Sequence, residues 1–240
     1  MPLKAVLFDL DDTLFDHHHS CRAGLTAVHR QYGCFQPMPF AEFERQHREL
    51  LEHYHLNVLQ GLMTLDEARR ERFRQLFLSY GENVSQSTAQ VVVTLYRKAY
   101  LGEERQVAGA AALLERLRAE DLRIGIVTNS TVEEQVGKLK RLKLNGLIDA
   151  LVISEAIGTA KPDPRIFESA LQRLKCECDE AVMVGDSWTA DVLGAQAVGM
   201  RAIWLNRHGA TCPDPTIVTE IAALEPLDTV ADLILQNVPL

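Results

Sequence analysis

KAVLFDLDDT, residues 4–13, is the stretch on which the fold turns. Its first seven residues form a short apolar run with β-branched and aromatic members, the pattern of a strand buried on both faces. Three further runs look alike: RIGIVTN at 123–129, ALVISE at 150–155 and AVMVGD at 181–186. RAIWLN at 201–206 makes a fifth. Helical patterns separate them. One spans about 109–120, with Leu113, Leu114 and Leu117 on one face. The next follows Ser130 or Thr131 and has Glu133 and Glu134 in its first turn, where the helix dipole favours anions. A third starts at Asp163, a good N-cap, with Pro164 at the favoured first helical position. A fourth runs from near Trp188 to Gly199, a plausible C′ glycine. Strands alternating with helices imply right-handed crossovers and a parallel sheet, whose sites lie beyond the carboxyl ends of the strands. Asp9, Thr128 and Asp186 fall at that end of their runs.

Between residue 16 and about residue 105 no clear strand pattern occurs. Helical signals at about 19–31, 40–59, 64–80 and 87–101 take its place. Thr64 and Glu67 form a capping box, and Leu65, Phe73, Leu76, Phe77 and Tyr80 then trace an amphipathic stripe. The expected architecture is α/β. A Rossmann-like catalytic core of residues 1–15 and 106–240 carries an inserted all-helical cap of residues 16–105, resting over the carboxyl end of the first strand. The tail is expected to hold a short edge strand near 216–222 and a final helix near 227–236.

Composition narrows the function. The 240 residues are 47% hydrophobic and 24% charged, which is ordinary for a globular protein. The net charge of −8 offers no basic face for nucleic acid. An acidic protein that binds an anion needs a local positive field from a metal, a lysine or a helix N-terminus. Cys21, Cys34, Cys176, Cys178 and Cys212 are odd in number, and the last pair but one is C-x-C, so free thiols in a reducing cytoplasm are expected. The first apolar run breaks at Asp9, unlike a signal peptide, and no stretch has the length of a membrane span.

Asp9-Leu-Asp11-Asp-Thr13 follows the first strand directly. Behind it come Thr128, then Lys161 within Gly158-Thr-Ala-Lys-Pro-Asp-Pro164, then Gly185-Asp186 with Asp191. In that order these residues resemble the four motifs of the haloacid dehalogenase superfamily, over roughly residues 1–15 and 106–210. The first motif alone is moderately specific, and four in order are very specific. Taken singly, each residue has a plainer reading: a turn aspartate, an N-cap threonine, a solvated lysine, a helix-dipole carboxylate. Their convergence at strand ends favours chemistry.

The residue types suit phosphoryl transfer. A carboxylate can attack phosphorus and split one hard step into two, and a second carboxyl can give a proton to the leaving oxygen and take one from water. A hydroxyl beside helix amides cradles phosphate, and an ammonium adds a point charge. The resemblance assigns the nucleophile to Asp9 and the acid and base to Asp11. It implies phosphate binding by Thr128, the backbone of Asn129, and Lys161. It implies Mg²⁺ held by Asp9, the Asp11 carbonyl and Asp186, in keeping with the cation's demand for oxygen ligands. Asp191 would orient water or Lys161. His18 and Arg22, just beyond the first motif, are candidates for substrate contact from the cap. His53 and His55, two apart, fall on different faces of a helix and do not make a helical zinc site.

The expected reaction is Mg²⁺-dependent hydrolysis of a small phosphate monoester, a nucleoside 5′-monophosphate or a sugar phosphate. Halide leaves without a proton, so Asp11 argues against dehalogenation. A phosphomutase shares all four motifs and stands as the alternative. A non-catalytic phospho-ligand module is expected to have lost a nucleophile or metal aspartate, and none is missing. The expected partner is a small phosphorylated metabolite, with no nucleic acid and no membrane, and the chain is expected to be a monomer or homodimer.

Overall fold

A computed structural model describes residues 2–236. Six strands, β1 (Ala5–Phe8), β2 (Arg123–Thr128), β3 (Ala150–Ile153), β4 (Ala181–Gly185), β5 (Arg201–Leu205) and β6 (Thr219–Ile221), form one sheet in the order β3-β2-β1-β4-β5-β6. Every neighbouring pair is parallel. Ten α-helices accompany them among the described residues: α1 (His17–Gln31), α2 (Phe40–Leu59), α3 (Leu65–Ser79), α4 (Gln86–Gly102), α5 (Ala110–Arg118), α6 (Val132–Arg141), α7 (Ser154–Ile157), α8 (Pro164–Leu174), α9 (Gly194–Ala197) and α10 (Leu227–Leu235). This is a Rossmann-like α/β fold. The chain separates into two compact units, His17–Glu104 and the remainder.

In the sheet unit β1 is central and its four residues are all 0% exposed. Burying a leucine or phenylalanine contributes about 1.5–3 kcal/mol, so the apolar run becomes the middle of the sheet. Phe8 pairs with Ile126 on one side and Val184 on the other. That register brings the residues after Phe8, Val127 and Val184 to one edge. β1 ends two residues earlier than its apolar run. Asp9 donates its amide to the Val184 carbonyl at 3.0 Å, and the chain then folds into a turn. Leu14 and Phe15 both donate to the Leu10 carbonyl, at 3.0 and 2.8 Å, and Asp12 takes a left-handed φ of 62°. Leu10 itself stays fully buried.

The two crossings between the units are tied within the sheet unit. Asp16 donates its amide to the Arg105 carbonyl at 3.0 Å. Its buried carboxylate accepts from Arg105 Nη2 at 2.7 Å and lies 3.2 Å from Arg207 Nη2. Burial alone would raise this carboxyl, but the bonds from Arg105 and the charge of Arg207 outweigh it and hold it below the ordinary carboxylate range. A depressed folded pKa gives stability that is present above the unfolded value and lost as pH falls through the folded one. Asp16→Asn is therefore expected to cost about 1.5–3 kcal/mol at pH 7, the range for hydrogen bonds to a charged group. Urea denaturation should show the difference shrinking once pH drops below 3.8.

The His17–Glu104 unit is helical. Phe35, Phe43, Phe73 and Leu76 are fully buried in it, with Phe35 centred 4.7 Å from Phe43 and 4.6 Å from Phe77. α1 and α4 approach closely at Gly24, where a Cβ would meet the Tyr96 ring at 2.6 Å. α3 opens on the expected capping box, Glu67 N to Thr64 Oγ1 at 3.2 Å and Thr64 N to Glu67 Oε2 at 2.8 Å. α1 begins at His17, so the three consecutive histidines 17–19 form its first turn.

The tail adds β6 at the sheet edge and then α10. The five cysteines are free. Among the described residues, no helix is long and apolar enough to cross a membrane.

Candidate active site

Lys161 sits at the centre of the strand-end cluster. Its residue is 6% exposed, and its ammonium donates to Asp9 Oδ1 at 2.6 Å, Asp191 Oδ1 at 2.6 Å and the Val127 carbonyl at 2.7 Å. Three N–H donors meet three acceptors, which is what a buried ammonium requires. Asn129 fixes its backbone from both sides: Asn129 Nδ2 donates to the Lys161 carbonyl at 2.9 Å, and Lys161 N donates to Asn129 Oδ1 at 2.8 Å. The Asn129 side chain thus holds the lysine loop, a role its sequence position does not disclose.

Asp191 is 1% exposed. Its second oxygen accepts from Ser187 N at 2.9 Å, so both oxygens serve protein donors. The segment that carries it differs from the single helix expected after Trp188. Trp188–Leu193 is a wide π-helical turn, capped by Ser187, and only then does α9 begin. Widened turns of this kind concentrate at functional sites. Here the turn lets the Asp191 side chain lie against Gly185, where an added Cβ would meet Asp191 Oδ2 at 2.3 Å. Gly185→Ala is expected to displace Asp191 and with it the lysine contact. A chelator-treated sample should melt several degrees lower than wild type, and a crystal structure of the variant should show the Asp191–Lys161 pair opened.

Asp9, Asp186 and Asp191 bring carboxylate oxygens within 4.8 Å of one another. Thr13 Oγ1 donates to Asp186 Oδ1 at 3.4 Å, and Trp204 Nε1 donates to the Asp186 carbonyl at 2.7 Å. Burial pushes the Asp9 carboxyl up to about 7, with Asp191 and Asp11 adding to the rise against the pull of Lys161. Burial likewise raises Asp186 well above the ordinary range, helped by Asp9 and Asp191. Burial would lower Lys161, but Asp191 and Asp9 outweigh it and raise it. Three carboxylates against one ammonium leave an excess of negative charge in a poorly solvated place. An all-oxygen donor set with that excess fits a hard divalent cation.

Asp11 lies apart from this carboxylate cluster. Its Oδ1 accepts from Lys138 Nζ at 2.5 Å and its Oδ2 from Gln135 Nε2 at 2.9 Å. Gln135 also donates to Thr128 Oγ1 at 3.1 Å, and Thr128 is 1% exposed. Neither Gln135 nor Lys138 stands out in the sequence. The one available signal is their spacing with Leu139 and Leu142, which together occupy i, i+3, i+4 and i+7 of one helical face. On α6 the structure buries Gln135, Lys138 and Leu139 and leaves Val132 exposed.

His18 and Arg22 are placed by the helical unit. Arg22 Nη1 donates to Glu44 Oε2 at 3.1 Å and its guanidinium lies 5.2 Å from the Phe40 ring centre. His18 is 3.9 Å from Glu44. Arg22 also lines a groove of about 480 Å³ on that unit, with His19, Thr26 and Arg30.

A family model for haloacid dehalogenase-like hydrolases matches residues 3–199. The chain is 32% identical over 203 residues to a glyceraldehyde 3-phosphate phosphatase of Pyrococcus abyssi, covering 84% of this chain and 81% of that one. It is 32% identical over 236 residues to a ribulose-1,5-bisphosphate 5-phosphatase of Halopiger xanaduensis, covering 95% and 97%. Among solved structures, the HAD-hydrolase YfnB from Bacillus subtilis bound to magnesium superposes with a TM-score of 0.75 at 25% identity, over 97% of this chain and 100% of that one.

Proposed function

The chain belongs to the haloacid dehalogenase-like hydrolases and is a phosphatase among them, and from that premise we propose that Asp9 is its nucleophile and a short phosphorylated sugar its substrate. The observation that carries this reading is the buried ammonium of Lys161 bridging Asp9 and Asp191 at the strand ends. Asp9, with Asp186 and the Asp11 carbonyl, would hold Mg²⁺, which when bound offsets the charge of the phosphate and of the carboxylates around it. Both oxygens of Asp191 are engaged by protein donors, which suits it to holding Lys161.

An Asp9 oxygen forms the bond to phosphorus as the bond to the leaving oxygen breaks, and a proton passes from Asp11 to that oxygen. Water then attacks the aspartyl-phosphate and its proton goes to Asp11, which frees inorganic phosphate and restores Asp9. Lys161, Thr128 and the Asn129 backbone keep the phosphate in line with Asp9, the largest requirement of phosphoryl transfer. The helical unit, through His18 and Arg22, would select the ester. Two phosphatases that resemble the chain are named for phosphorylated sugars of three and five carbons, and this favours the sugar phosphates. Free thiols at all five cysteines favour a reducing cytoplasm.

Release of inorganic phosphate from a panel of sugar phosphates and nucleoside 5′-monophosphates, with Mg²⁺ and with a chelator, tests the reading. Sugar phosphates should show the highest kcat/KM, and turnover should vanish with chelation. Preference for nucleotides would overturn the substrate assignment. Isomerised substrate without released phosphate would point to a mutase, and no turnover on any ester to a binding module.

A further inference from the structure

We propose that Gln135 and Lys138 are positioning residues that set the orientation of the Asp11 carboxyl for proton transfer. This inference rests on the reading of Asp11 as the acid and base. Lys138 meets Oδ1 and Gln135 meets Oδ2, so two donors on separate oxygens fix the plane of the carboxyl group. Both donors come from α6, one turn apart, and both are buried, with Lys138 4% exposed and Gln135 0%. A buried lysine away from a partner is costly, and an apolar residue would serve packing better. The Lys138 ammonium also lies 5.0 Å from the centre of the Phe15 ring, which closes the turn begun at Asp11.

The Gln135 amide does a second thing. Its Nε2 reaches both Asp11 and Thr128, so one group links the acid and base to the residue assigned to the phosphate. Its Oε1 is buried and has no hydrogen-bond partner. Packing for its own sake would not leave that oxygen unsatisfied, because a buried lone acceptor carries a desolvation cost. The amide is oriented by the two acceptors it serves. During the first half-reaction the proton leaves Asp11 for the departing oxygen, and the two donors receive the carboxylate left behind.

A leaving-group series separates positioning from general damage, because kcat/KM covers only the steps through departure of the leaving group. An alkoxide needs the Asp11 proton, whereas p-nitrophenolate departs without one. With Mg²⁺ present, Lys138→Met and Gln135→Met are each expected to lower kcat/KM for a sugar phosphate about thirtyfold or more, within the reach of general acid catalysis. For p-nitrophenyl phosphate the fall should stay within about threefold. Lys138→Arg should recover much of the loss. Equal falls on both substrates, or no fall on either, would overturn the proposal. Asp11→Asn runs beside them: if it too ignores the leaving group, the acid and base assignment itself fails. If Asp11→Asn discriminates and the α6 variants do not, only the positioning role is lost. Should Lys138→Met not fold, Gln135→Met and Lys138→Arg carry the same comparison.

Discussion

Asp9→Asn is expected to abolish turnover, lowering kcat/KM for a sugar phosphate by a factor on the order of 10⁴ or more, as loss of a covalent nucleophile does. The amide matches the carboxylate in size but cannot form the aspartyl-phosphate. A second readout separates chemistry from damage. Burial holds the Asp9 carboxyl at about 7 in the folded protein without a cation, against an ordinary 3.8. A raised folded pKa gives stability that is complete below the unfolded value and lost as pH rises through the folded one. The metal-free wild type should therefore lose stability between pH 4 and pH 8 from this group, and the variant should not. Thermal melts in chelator at pH 5 and pH 8 check this: the variant should gain on wild type at the higher pH. Turnover equal to wild type would remove Asp9 from the mechanism.

Lys161→Met is the second large effect, and it acts on the fold as well as the reaction. The side chain keeps an unbranched stem, one atom shorter, and loses the charge that Asp9 and Asp191 share. Removing one partner of a buried pair costs about 3–5 kcal/mol, because a charge is left uncompensated. Here the penalty should depend on pH, since Asp9 and Asp186 already resist ionisation and take up protons in acid. Metal-free melts should show a large loss at pH 8 and a smaller one at pH 5. Mg²⁺ should restore part of the loss, since a ligand that binds only the folded state stabilises it by mass action. A variant that melts like wild type at pH 8 without metal would show that Lys161 is not the counter-ion of the cluster. Turnover should fall with it, because the phosphate also loses a fixed positive charge.

Much of the sheet could be read directly because parallel strands buried on both faces must be apolar throughout. The runs at 4–10 and 181–186 carry β1 and β4 for that reason. The end of β1 was less legible, since Leu10 is again apolar and buried although the chain turns away once Asp9 has made its bond to Val184. α3 was legible from its capping box, where local hydrogen bonds do not depend on the rest of the chain. The π-helical turn at Trp188–Leu193 was not, because the Asp191 it carries is held by Lys161, 30 positions away in the chain.

The order and chemistry of Asp9, Thr128, Lys161 and Asp186 were determined by the sequence itself. Strand-forming runs end on Asp9, Thr128 and Asp186, Lys161 follows in a proline-flanked loop, and a parallel sheet gathers strand ends at one edge whatever the packing details. Tertiary structure alone decided what each side chain is bonded to. It gave Asn129 to the Lys161 backbone, both oxygens of Asp191 to Ser187 and Lys161, and Asp11 to Gln135 and Lys138. A glutamine and a lysine on an amphipathic helix read as solvated until the fold shows which face is buried. On α6 that face is marked by the carboxyl group it reaches, 124 and 127 positions away in the chain.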